Sequence, residues 1–117
     1  MAEITQAAYQ NLRDYIQANW KYIELQDDTG VAIVRLSVYD SRVTWTHSVG
    51  EQTLKLQVII KGSDSDITVP KTFAKSVIFN VATGGNLLST ESFTPFTIEG
   101  DQDELTVIHL IEVPKVV

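Results

Sequence analysis

The 117-residue chain carries nine Lys and Arg against fifteen Asp and Glu, a formal charge of −6, and no Cys. This length fits a single domain, 1–117, able to bury one core without staples, and the lack of Cys excludes a disulfide framework and thiolate chemistry. The basic residues are scattered rather than clustered, so the chain lacks the patch that releases counterions, and nucleic acid and anionic membrane surfaces are disfavoured as partners.

Residues 5–19 (TQAAYQNLRDYIQAN) form the one clear helical pattern. Ile4, Ala8, Leu12, Tyr15 and Ile16 fall on one side of a 3.6-residue wheel, and Gln6, Gln10, Arg13, Asp14 and Gln17 on the other. Thr5 is a suitable N-cap, since its hydroxyl can accept a backbone N–H of the first turn. A helix this short depends on tertiary packing, so the apolar stripe is expected to cover a sheet or another subunit.

Strand signals follow. Residues 20–26 (WKYIELQ) and 31–38 (VAIVRLSV) flank the turn cluster DDTG and read as a hairpin. Residues 43–47 (VTWTH) alternate, and residues 53–61 (TLKLQVIIK) alternate almost perfectly, with Leu54, Leu56, Val58 and Ile60 on one face. A short strand is expected at 67–69, stopped by Pro70. A longer one is expected at 73–81, with Phe73, Val77, Phe79 and Val81 on one face. Residues 87–92 read as a short strand. Residues 93–98 (FTPFTI) contain Pro95, which suits an edge. The longest apolar run, 105–113 (LTVIHLIEV), reads as a central strand buried on both faces, ended by Pro114.

The expected fold is therefore mainly β (α+β): an N-terminal helix, about 5–19, packed on a β-body, about 20–114. That body is an antiparallel sandwich or strongly curled sheet of six to eight strands. No βαβ alternation is present, so a doubly wound sheet is not expected. No basic leader followed by an apolar run is visible at the N-terminus, and no stretch approaches the ~20 apolar residues of a membrane span.

Candidate chemistry is sparse. Carboxylates alternate in the segments holding Asp64 and Asp66 and, further on, Glu99, Asp101, Asp103 and Glu104. Such loops can chelate Ca²⁺, but they lack EF-hand spacing, and solvated turns are the commoner use of such carboxylates. His47 and His109 are too few for a zinc site without Cys. His109, among Val107, Ile108, Leu110 and Ile111, reads as a core or interface histidine satisfied by a hydrogen bond. There is no Gly-x-Ser-x-Gly elbow and no phosphate loop. The expectation is no catalytic residue, no cofactor and no metal. Among the aromatic residues, Phe93, Phe96, Tyr39 and Trp20 are the candidate interface residues, because such side chains combine area with, in Tyr and Trp, a polar tip.

Residues 12–36 (LRDYIQANWKYIELQDDTGVAIVRL) and 94–114 (TPFTIEGDQDELTVIHLIEVP) resemble small structural proteins of tailed phages or prophages of Gram-positive bacteria, from tail, baseplate and adsorption modules. The resemblance implies a non-enzymatic virion or assembly protein that acts through protein–protein contacts. Its partners would be other tail proteins or copies of itself, in the virion or in the bacterial cytoplasm during assembly. It carries over no catalytic residue. The other two readings left open are a carbohydrate- or peptide-binding β-module and a small enzyme with an apolar pocket under the helix.

Overall fold

The structure, a computed structural model, describes residues 2–48 and 50–113. One helix, α1 (Gln6–Asn19), precedes seven strands: β1 (Tyr22–Gln26), β2 (Ala32–Ser37), β3 (Val43–Trp45), β4 (Thr53–Lys61), β5 (Lys71–Phe79), β6 (Ser89–Ile98) and β7 (Glu104–Glu112). They make two antiparallel sheets, a four-stranded one in the order β2-β1-β5-β6 and a three-stranded one in the order β3-β4-β7. The expected break at Pro114 and the tail at 115–117 lie outside the described residues.

The β1–β2 hairpin closes through Asp27, whose carboxylate accepts from the Thr29 N–H and hydroxyl and from the Val31 N–H. Those bonds, the Thr29 hydroxyl first and the Val31 N–H next, hold the Asp27 carboxyl below its usual range. Gly30 takes the left-handed φ of 83° that this turn requires. β4 behaves as its alternation predicts: Leu54, Leu56, Val58 and Ile60 are fully buried. Leu56, Val58 and Ile60 meet Ile23, Leu25, Leu36, Phe73 and Ile78 of the other sheet in one core. Full burial of side chains of this size contributes about 1.5–3 kcal/mol each.

β5 is the strand most enclosed on both sides. Its inward residues Ser76 and Ile78 pair with Leu25 and Ile23. Its outward residues Val77 and Phe79 are also buried, but on the face away from Phe73 rather than with it as expected, since the pairing is irregular between Phe73 and Lys75. Val81 lies exposed beyond the strand. Arg35 lies over the Phe79 ring at 3.6 Å and donates to the carbonyls of Val81 and Gly84, so the loop after β5 is drawn back across this face. Glu24 completes the clasp with a 3.1 Å ion pair to Arg35.

Four expectations are corrected. First, residues 67–69 form no strand, although Ile67 is buried. Second, 87–92 and 93–98 belong to one strand, β6, which is an edge as Pro95 suggested. Phe73 faces Phe96 and Lys75 faces Ser92, so residues 93–95 lie opposite the single Ala74. The proline sits in that bulge, where no ladder donor is needed. Third, β7 is an edge rather than a central strand. Val107 and His109 point inward, while Ile108 and Leu110 remain 47% and 45% exposed.

Fourth, the helix is rotated from its expected facing, so that only part of the apolar stripe turns inward. Leu12 and Tyr15 are 48% and 61% exposed, and Ile4 is exposed, whereas Ile16 and Arg13 are buried. The inward face is anchored by polar groups. Arg13 Nη1 donates to the Val113 carbonyl, and its Nη2 donates to Gln10 Oε1 at 3.0 Å. The same Gln10 oxygen accepts the Gly50 N–H. The buried guanidinium needs acceptors, since a buried cation without them is costly. It finds the Val113 carbonyl just past β7 and Gln10 on its own helix, although its Nε stays without a partner. Thr5 caps the helix as expected, accepting the Ala8 N–H, and no helix among the described residues is long and apolar enough to cross a membrane.

Candidate functional site

The chemistry-bearing residues gather at two places, the Arg42 cluster and the seam between β6 and β7. At the first, Arg42 reaches Asp66 with two 2.8 Å bonds, Asp40 with two 2.9 Å bonds and Asp64 at 3.2 Å. Asp64 also accepts the Lys61 N–H. One guanidinium thus ties the turn after β2 to the loop after β4, and paired bidentate geometry makes the best use of its planar fork. The Arg42 bonds hold Asp40 down at about 2 and lower Asp66 as well, while Asp40 first and Asp66 next raise Arg42. A shallow cleft of about 370 Å³ lies beside it, lined by residues that include Arg42, Ile59, Lys61 and Glu104.

This arrangement bears on the acidic loops. Arg42 stands between Asp64 and Asp66 where a cation would have to sit. Asp103 instead accepts the N–H groups of Glu99 and Gly100 and closes its own turn. Among the described residues no group of three or more His, Cys, Asp or Glu side chains is placed to hold a metal ion. Replacing Arg42 with Ala is expected to cost about 1–2 kcal/mol near neutral pH, discounted because the pair groups are partly solvated. Urea titration measures this. The deficit should persist down to the ordinary carboxylate range and shrink as the pH falls toward about 2, where Asp40 takes up its proton even in the folded wild type.

At the second place, His109 of β7 is fully buried between the sheets. Its Nδ1 lies 2.6 Å from Ser76 Oγ of β5, and its Nε2 lies 2.8 Å from Ser89 Oγ of β6. Cross-strand register explains the meeting: Ser76 and Ser89 share the inward face of their sheet with Leu25 and Ile78, and His109 shares that of the other sheet with Leu56. Burial pushes the His109 imidazole down to about 4, so the ring is neutral at ordinary pH. Beside it, Glu91 of β6 accepts the Leu110 N–H at 3.2 Å, and a cleft of about 420 Å³ opens, lined by Ser89, Glu91, Leu110, Ile111 and Glu112.

A hydroxyl, an imidazole and a second hydroxyl in line have the outline of a nucleophile, a base and its orienting group. Two facts argue for a clasp instead. A base held near 4 draws weakly on a serine proton, and the main-chain donor of the next residue, the Leu110 N–H, is already bonded to a carboxylate and so does not face a developing oxyanion. The trio satisfies a buried polar group, as buried groups require, and ties β7 to β5 and β6.

The four candidate interface residues do not all gather in one place, although the β1–β2 register brings Trp20 close to Tyr39. Trp20 ends α1, donates its N–H to the Ile16 carbonyl at 2.8 Å and packs partly buried on the core. Tyr39 is exposed, with Lys21 Nζ 5.5 Å from its ring centroid. Phe93 packs partly buried on the core. Phe96 is exposed and lies opposite Phe73, whereas Tyr22, near Trp20, lies opposite Phe79. Six residues of strand, about 20 Å, separate those two positions.

Sequence reasoning missed Ser76, Ser89 and Glu91. The available signal was parity: His109 shares a face with Val107 and Ile111, so an inward imidazole must find partners. Nothing in the sequence indicates which serines provide them. Comparison of the chain with protein-family models, with curated proteins and with solved structures finds no match.

Proposed function

We propose that this domain is a non-catalytic assembly protein whose outer helix face is a contact surface for other proteins. The observation that carries this reading is the apolar stripe of α1. Of the stripe expected to bind the helix to the sheet, Ile16 is buried, but Leu12 and Tyr15, with Ile4 just before the helix, face solvent, while Arg13 and Gln10 hold the helix in place. Apolar side chains aligned on an exposed helix face gain by being covered. The resemblance to small structural proteins of tailed phages gives the reading a setting. There the domain would be a tail or baseplate component that meets other virion proteins or its own copies.

The test is substitution on the stripe. Leu12→Asp is expected to leave stability within about 0.5 kcal/mol, as for surface changes. It should abolish association that light scattering detects for the wild type at rising concentration or with its virion partners. A wild type that stays monomeric and is absent from purified particles overturns the proposal. A large drop in melting temperature on Leu12→Asp also overturns it, because the stripe would then be structural.

A further inference from the structure

We infer that the seam between β6 and β7 is a strand-binding groove that takes an extended, basic peptide segment of a partner along the open edge of β7. The first support is main-chain geometry. Val113 N–H donates to the Gln52 carbonyl and Gly62 N–H to the Asp103 carbonyl. With β4 and β7 in uninterrupted register between those points, the odd-numbered residues of β7 turn their main-chain groups toward β4. Thr106, Ile108 and Leu110 therefore turn theirs toward the seam. No strand among the described residues pairs with them there, since β6 belongs to the other sheet. An open edge of this kind is a template for an added strand.

The second support is Glu91. Its Oε1 accepts the Leu110 N–H, the bond that a carbonyl of an adjoining strand would otherwise accept. A side chain has taken the place of a missing backbone, and an incoming strand can displace it. The third is charge and polarity. β6 and β7 contain Glu91, Glu104 and Glu112 and no Lys or Arg, and Ile108 and Leu110 lie exposed along the same edge. An occupant with alternating apolar residues and flanking cations fits these features. β4 meets β7 in this way on its other side, where Lys61 lies opposite Glu104. The seam is distinct from the outer face of α1, so this inference and the proposed function stand or fall separately.

The experiment uses the full chain and two dye-labelled peptides, KVTVKVTVK and its acidic counterpart EVTVEVTVE, followed by fluorescence anisotropy and by amide shifts. The basic peptide is expected to bind at least about tenfold more tightly than the acidic one, with shifts concentrated at Thr106–Leu110 and Glu91. Ile108→Pro removes a seam-facing N–H while leaving the β4 ladder intact, as prolines on edge strands do. It should weaken binding about tenfold, whereas Leu12→Asp should leave binding unchanged. Glu91→Gln reports on charge without altering the main chain, and it should narrow the difference between the two peptides. Absence of binding, shifts confined to other surfaces, or equal affinity for a folded Ile108→Pro variant would overturn the inference, the last by showing attraction to surface charge only.

Discussion

Acidification from about pH 7 to about pH 4 should lower the unfolding free energy by about 3 kcal/mol, with the loss beginning well above the carboxylate range. His109 is the cause. Its folded-state value lies near 4, against an ordinary 6.5. The unfolded chain therefore binds the proton first, and stability falls through the interval between those values. Each unit of displacement is worth about 1.4 kcal/mol. Below about 4 the folded imidazole also protonates. Further loss then comes from Asp40, Asp66 and Asp27, whose lowered values make them stabilising only when ionised. The test is urea unfolding across this range for the wild type and for His109→Gln, whose amide can still serve both serines. The variant is expected to be flat down to the carboxylate range. A wild type equally flat there would show that the imidazole is not held neutral by burial.

The second large effect is expected at Gly62. A Cβ built there would lie 1.9 Å from the Gly100 carbonyl oxygen and 2.7 Å from its carbon. Those atoms are backbone and cannot rotate aside. The loop that carries them is fixed, because Asp103 accepts the Glu99 and Gly100 N–H groups while its own carbonyl accepts from Gly62. Gly62→Ala must therefore pry the β6–β7 corner away from the end of β4. The expected cost exceeds about 3 kcal/mol, at the severe end for one residue. Thermal unfolding measures it. A melting temperature within a few degrees of the wild type would mean that the corner yields more readily than its hydrogen bonds suggest.

The sequence was most legible where one face of an element is wet. β4 alternates because Lys55 and Lys61 mark its outer side, and its bounds, its inward set and its strand character were all readable. β7 was not, because Ile108 and Leu110 are as apolar as Val107 and Ile111, so a period of two is invisible among residues of one kind. Its place at an edge is a fact of pairing, which lies outside any local window. The helix misled for a different reason. A hydrophobic wheel assumes that apolar surface decides the facing side, but Arg13 found the Val113 carbonyl one hundred residues away, and that bond sets the rotation. Separations of 33 and 20 residues likewise hid the Ser76, Ser89 and His109 trio.

The register of the sheets has a consequence for the order in which the molecule can form. Thr53 pairs with Glu112 and Tyr22 with Phe79, so β1 and β4 each wait for a partner synthesised more than forty residues later. The two early hairpins, β1–β2 and β3–β4, can close locally, yet each then offers an adhesive side until β5 and β7 emerge. Pairings this remote slow folding, because the intervening loops must close first. A nascent or truncated chain that stops before β7 carries TLKLQVIIK as an uncovered strand rich in β-formers, the part of this molecule most prone to aggregate.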